Sequence, residues 1–343
     1  MEPDTEAEVV AERYVLGRRL GSGRYGEVYV AHDRVLDQQV AIKLLRGISD
    51  TTPLFREAAF LRSLESPFIL RVDNAGIDAD IGYLATKVAA SGSAEDQLPA
   101  FGLAPDRVLL WTRQTLIGLR ACHEHGLVHC DIKPANIFLD EHDRAALGDF
   151  GAAQRMDDRG HVRQAGDPLV RAPEMLRGGS GQIRTDIYSV GASMYRLLSG
   201  AWPVEEPDDF SVFRQRVRGS RYKRLADLAP HLPKALTSII RRAMSVDPTT
   251  RFASAEDMNI ALGRLDLGRR PARTATHDGH VSCWADAPQT GPARETCVVE
   301  VNGRFDITTR RASGARTRIT ELCRSGVARV DLATELRRVL RAD

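Results

Sequence analysis

The chain has 343 residues, enough for one large domain or two, each with a buried core. Hydrophobic residues are 43% and charged residues 27%, with a net charge of +2, so the overall balance argues neither for nor against nucleic acid. Five cysteines, odd in number and without a C-x-x-C pair, argue against a disulfide framework or a cysteine zinc site and fit a reducing cytosol. The acidic start "MEPDTEAEVV" is unlike a signal peptide. No apolar run of about 18 residues suggests a membrane span.

In chain order, residues 13–45 alternate as strands do: "YVLGRRL", "GEVYVAHD" and "QQVAIKLL", the first two separated by glycines. Residues 53–65 switch to helical spacing, with Pro53 near the start. Strand patterns return around Leu70–Ile77 and Ile81–Val88. From about Asp106 the pattern is mostly helical, as in "RVLLWTRQTLIGLRACHEHG" and "TDIYSVGASMYRLLSG", each ending near a glycine. Beyond Leu262, "GRLDLGRRPARTATHDGH" has the composition of a linker. Residues 264–343 hold fifteen arginines, no lysine and ten acids, a local charge of 15 − 10 = +5; the first 263 residues then carry 2 − 5 = −3.

Four constellations carry chemistry. "GSGRYGEV" sets Gly21, Gly23 and Gly26 between two strands, where glycine lets backbone N–H groups approach a phosphate closely. The pattern alone also suits a plain glycine-rich hairpin, and its strand-to-strand position disfavours a dinucleotide-binding fingerprint. Val28 follows where an apolar side chain can roof an adenine ring. "VAIK" ends at Lys43 inside an apolar strand, where an ammonium needs an anionic partner; Glu57, on a helix face with Leu61, offers one. In "HCDIKPANIFL", Asp131 can accept a hydroxyl proton, Lys133 can neutralise a transferring phosphoryl group and Asn136 can ligate Mg2+. "GDFG" adds Asp149 as a second oxygen ligand. Phosphoryl transfer needs mainly positioning and charge neutralisation, which these groups supply. "APE" (Ala172, Pro173, Glu174), "TDIYSVG" with Asp186 and "DPTTRF" with Arg251 follow in order.

Together these motifs resemble the eukaryotic-type Ser/Thr protein kinases, most of all those of bacteria, over about residues 13–262. The resemblance implies an α+β, bilobal protein kinase-like fold, with a β-rich N-lobe over 13–88 and a helical C-lobe over 89–262. A tail over 1–12 precedes it. A linker over 263–280 and a small α+β module over 281–343 follow it. ATP would lie under the glycine loop, against Leu20, Gly21, Ser22, Gly23, Gly26, Val28 and Ala41. Lys43 would hold its α- and β-phosphates and pair with Glu57. Asp131 would be the catalytic base, with Lys133 beside the phosphoryl group and Asn136 and Asp149 holding Mg2+. The lysine of "DIKPAN" is similar to that of Ser/Thr rather than tyrosine kinases. Aligning "YLATKVAASG" with the strand that enters the hinge makes Thr86 the gatekeeper, with backbone groups of Lys87 and Ala89 facing adenine. Glu174 and Arg251 would form the large lobe's ion pair, and Asp186 its buried backbone anchor.

The chain departs from that pattern at four places. Cys130 replaces the arginine that usually precedes the catalytic aspartate and receives a phosphorylated loop residue. The segment from Asp149 to Glu174 has no Ser, Thr or Tyr, so there is no phosphate for an arginine to hold. Asp167 stands where a threonine is usual; its carboxylate can pair with Lys133 but would repel Asp131. Lys43 and Glu57 are only 14 apart, so the helix is expected to begin late.

In the tail, "TCVVEVNGRFDITTRR" reads as a hairpin with a type I′ turn at Asn302–Gly303. "ARTRITELCRSG" and "DLATELRRVLRAD" read as two helices, with Trp284 in the module's core or on a nearby strand. Three functions fit the sequence. The first is a cytoplasmic Ser/Thr kinase acting on protein substrates. The second is a nucleotide-sensing pseudokinase scaffold. The third is a regulatory protein whose basic tail binds nucleic acid or an acidic partner.

Overall fold

The computed structural model describes residues 8–23, 26–46, 58–59, 61–62, 64, 66–204, 210–219, 222–268, 270–286, 292–313 and 316–342. Six antiparallel strands open the chain: β1 (Val9–Val10), β2 (Tyr14–Gly23), β3 (Gly26–Asp33), β4 (Gln38–Arg46), β5 (Val72–Asp78) and β6 (Ile81–Lys87). They form one sheet in the order β1-β2-β3-β4-β6-β5. Side chains alternate across a strand, and β4 uses this. Val40, Ile42 and Leu44 are buried with Ala31, Tyr83 and Ala85 on one face. Ala41 and Lys43 lie on the other, opposite Thr86 of β6 and Val28 of β3. The strands therefore present their functional residues to one side and their core to the other. Of the expected helix over 53–65, residues 58–59 and 61–62 are helical, and residues 53–57, 60, 63 and 65 lie outside the described residues.

The second lobe is built around two helices. α1 (Pro105–Glu124) starts with a proline, whose missing N–H costs nothing there, and buries Val108, Trp111, Leu116, Leu119 and Cys122. α2 (Ile183–Ser199) is buried on nearly all sides, so its ends need internal partners. Gln182 and Thr185 form a reciprocal cap at its start, and Gly200 ends it with φ 74. A Cβ at Gly200 would strike the Ala100 carbonyl. α3 (Phe210–Arg218), α4 (Lys234–Ala243) and α5 (Ala255–Gly263) complete the layer. Arg251, only 2% exposed, donates to both Glu174 oxygens (2.8 and 2.7 Å) and to the carbonyls of Arg184 and Ser245. A buried guanidinium so fully partnered is tolerable, and losing Glu174 would strand it. Four short strands pair at the lobe junction: β7 (Leu127–Val128) with β10 (Gln154–Arg155), and β8 (Ile137–Leu139) with β9 (Ala145–Leu147).

The C-terminal module is a five-stranded antiparallel sheet: β11 (Ala272–Thr274), β12 (Ser282–Asp286), β13 (Arg294–Val301), β14 (Arg304–Arg311) and β15 (Arg324–Val327). Its turn at Asn302 (φ 51) and Gly303 (φ 74) has the left-handed pair that a type I′ hairpin requires. α6 (Leu332–Leu340) covers one face, packing Leu336, Val339 and Leu340 against Trp284, Val298, Phe305 and Ile307. Two expectations need correction. Residues 263–280 are not simply a linker, because Leu267 packs into the second lobe's core and β11 pairs with β12. The helix read over "ARTRITELCRSG" is instead a bridge at Arg318, one 3-10 turn (Thr320–Leu322) and β15. That stretch offers only Ile319 and Leu322 to a core, too few for a helical face, and the free edge of β14 captures it.

Candidate active site

The loop between β7 and β8 brings Asp131, Lys133 and Asn136 together. Its backbone is fixed from below by the buried Asp186 carboxylate. Asp186 Oδ2 accepts from the His129 N–H (2.8 Å) and Oδ1 from the Cys130 N–H (2.9 Å), while His123 Nε2 lies 2.9 Å from Oδ2. This anchoring holds Cys130 at φ 67, a left-handed conformation that costs a non-glycine residue about 1–3 kcal/mol. The turn aims Asp131 upward and tucks the Cys130 side chain down among Val128, Ala152 and Val162.

Three donors hold the Asp131 carboxylate. The Asp167 N–H reaches Oδ1 at 2.6 Å; Asn136 Nδ2 and Lys133 Nζ reach Oδ2 at 3.0 and 3.2 Å. A carboxylate has about four lone-pair positions, so one more donor, such as a hydroxyl, can be accepted. Asn136 Nδ2 also donates to the Asp131 carbonyl (2.8 Å), which turns the Asn136 oxygen away as the free ligand end. Lys133 Nζ bridges Asp131 to Asp167 Oδ2 at 3.0 Å. Burial alone would lower the Lys133 pKa, but the two carboxylates outweigh it and hold it above its ordinary value. The repulsion expected between Asp131 and Asp167 is thus met by a shared ammonium. Asp167 Oδ1 also caps the Leu169 N–H at 3.0 Å.

Asp149 is the second focus. It sits at φ 54 and its Oδ1 accepts from Lys43 Nζ at 2.8 Å. Burial would raise its pKa, but Lys43, His129 and the Gly151 N–H hold it below the ordinary carboxylate range. It is therefore an anion ready for a cation. His129 fixes this corner, with Nε2 3.1 Å from the Gly148 carbonyl and its ring 4.7 Å from the Phe150 ring. An aspartate and an asparagine oxygen suit Mg2+, a hard cation.

On the sheet above, Val28, Ala41, Lys43 and Thr86 share one face. Thr86 is 8% exposed, with Oγ1 3.5 Å from the Ala41 carbonyl. Gly26 takes φ 114, and a Cβ there would overlap the Leu44 carbonyl; at Gly21 a Cβ would meet nothing within 4 Å. Leu20 and Ser22 are exposed on β2, which runs through Gly23. Lys87 ends β6 with its ammonium exposed, 3.8 Å from Glu141. The Ala89 carbonyl accepts from the Gly92 N–H at 3.0 Å. Glu57, and with it the expected pair to Lys43, lies outside the described residues.

Gly166 and Val162 escaped the sequence reading. Gly166 has φ 80, and a Cβ there would run into the Cys130 carbonyl. Only glycine lets the segment after Asp149 press against the loop that carries Asp131. A lone Gly-Asp step ahead of "APE" was the available signal. Val162 pairs with Gly181 and packs on Cys130.

The protein kinase domain family matches residues 14–260. The chain is 30% identical to the serine/threonine-protein kinase PknB of Mycolicibacterium smegmatis over 285 residues, covering 78% of this chain and 45% of that protein. It is 30% identical to PrkC of Bacillus subtilis over 258 residues, 73% and 40% of the two chains. It is also 27% identical to CBL-interacting protein kinase 28 of rice, over 84% and 67%. The chain thus spans less than half the length of these two bacterial relatives. Among the described residues, no helix is long and apolar enough to cross a membrane.

Proposed function

The chain belongs to the protein kinase family, and on that premise we propose that it transfers the γ-phosphate of ATP to Ser or Thr hydroxyls of a protein substrate in the cytoplasm. The observation that carries the reading is the carboxylate of Asp131, held by three donors with a lone-pair position left over. Asp131 orients the substrate hydroxyl and takes its proton as the phosphoryl group is transferred. Lys133, shared between two carboxylates, stays charged and neutralises the moving group. Lys43, now on Asp149, turns to the phosphates. Asn136 and Asp149 would hold Mg2+, which would supply neutralisation of phosphate charge. Val28, Ala41 and Thr86 form the roof and back wall for adenine, with Leu20 to Gly23 and Gly26 over the phosphates.

The reading includes control without loop phosphorylation. The segment after Asp149 has no hydroxyl. Its order is supported by the β7–β10 pairing, the Val162–Cys130 packing and the Lys133–Asp167 pair. Cys130 cannot hold a phosphate by charge. A reaction with labelled ATP and Mg2+, followed by phosphosite mapping, tests the proposal. Ser or Thr phosphates outside residues 149–174 are expected in the unmodified protein, and strongly reduced labelling in Asp131→Asn.

A further inference from the structure

The module's sheet has a second face, opposite α6, and four side chains converge on it. Cys283 of β12 and Cys297 of β13 sit directly across from each other in register. Strand alternation points them away from Trp284 and Val298, which face the core. The chain between β11 and β12 folds back over them. A turn closed by His280 N–H to the His277 carbonyl (3.0 Å), with Gly279 at φ 78, sets the two imidazoles side by side.

We infer that His277, His280, Cys283 and Cys297 form a structural zinc site. The four ligand atoms lie within 4.8 Å of one another. His277 Nδ1 is 3.3 Å from His280 Nδ1, 3.4 Å from Cys283 Sγ and 3.6 Å from Cys297 Sγ; His280 Nδ1 is 3.3 Å from Cys283 Sγ. A tetrahedral ion with Zn–N of about 2.0–2.1 Å and Zn–S of about 2.3 Å needs ligand separations of about 3.3–3.8 Å, and these four edges match. The other nitrogen of His277 supplies an independent sign. Nε2 lies 3.2 Å from Glu295 Oε1, two residues before Cys297, which is the carboxylate–histidine arrangement that orients a metal-bound imidazole. Two thiolates and two imidazoles suit zinc; Mg2+ and Ca2+ want oxygens. Four protein ligands close the coordination shell, so the ion would be structural, stapling the 277–280 turn to a small sheet. The order H-x2-H-x2-C-x13-C has no C-x-x-C, which is why a search for cysteine pairs passes over it. The site is independent of phosphoryl transfer.

The test is metal content of the full chain, purified under reducing conditions, loaded with zinc and dialysed. About one zinc per chain is expected. Cys283→Ser and Cys297→Ser should each fall to background, and cobalt substitution should give a thiolate-to-cobalt charge-transfer band with tetrahedral d–d bands. If the cysteine variants misfold, Glu295→Gln keeps all four ligands and the strand; chelator competition should show affinity weakened by about 10–100-fold. The inference is overturned if the unmodified chain retains no zinc. It is equally overturned if both cysteine variants keep the full amount, or if thiol mapping finds a Cys283–Cys297 disulfide in the reduced preparation.

Discussion

At the scale of single residues, Cys130 fills a small apolar pocket beneath the loop that carries Asp131. An arginine in its place would have to leave a pocket made of Val128, Ala152 and Val162. Burial also pushes the Cys130 thiol well above its ordinary range, so the reactive thiolate is scarce. Cys130 should therefore resist alkylation in the native protein at mildly alkaline pH and react on unfolding, as followed by mass spectrometry. Cys130→Ala should be tolerated, while Cys130→Arg should cost about 1–3 kcal/mol in denaturant titration, because the longer side chain does not fit the pocket and must displace the loop or its neighbours. Equal stability of the two would show that the pocket opens to solvent. The trio Asp131, Lys133 and Asn136 was legible from spacing because one short loop carries all three. Asp167 was legible as a departure, yet its backbone N–H bond to Asp131 was not. That contact joins residues 36 apart, and no local pattern encodes it.

At the scale of elements, the segment from Asp149 to Glu174, which has no hydroxyl to phosphorylate, is placed by packing on Cys130 together with the Lys133–Asp167 pair. Gly166→Ala should push the segment off the Cys130 carbonyl and lower kcat by about 100-fold, with little change in KM for ATP. Steady-state kinetics checks this; an unchanged kcat would mean the segment does not position Asp131. Phosphatase treatment of the active protein should leave its rate unchanged. Loss of rate, restored by rephosphorylation, would place a controlling phosphate elsewhere in the chain. The strands and long helices were legible because each has a strong period of its own, from "QQVAIKLL" to "TDIYSVGASMYRLLSG". The stretch around Ile319 was not, since its partner is the edge of β14, which supplies the pairing that its own composition does not announce.

At the scale of the whole molecule, the module docks on the second lobe through Trp284. Its Nε1 donates to His231 Nδ1 at 3.2 Å, and Arg337 reaches the Ala226 carbonyl at 2.9 Å. The arginine excess is thus partly spent on internal ties. Arg324 and Arg338 both pair with Glu335. Burial, aided by Arg273 and Arg341, lowers the His231 pKa to about 4. The folded protein therefore resists protonating His231, and the unfolded chain does not. This stability is fully present above the unfolded value near 6.5 and is lost as pH falls toward 4, in total on the order of 3 kcal/mol. His231→Gln should be less stable than the unmodified protein at pH 7, with the gap closing by pH 4 in urea titrations. A constant gap would mean that His231 does not titrate at this seam.

The central claim is that Asp131 is the base of an Mg2+-dependent transfer to protein hydroxyls. The most direct measurement is transfer of labelled phosphate from ATP to a protein acceptor, in parallel for the unmodified chain, Asp131→Asn and Asp149→Ala. The account predicts Ser or Thr labelling that requires Mg2+, a loss of about 10²–10⁴-fold in Asp131→Asn, and no transfer above background in Asp149→Ala. Undiminished transfer in either variant would contradict it, as would an unmodified chain that binds ATP and never transfers phosphate.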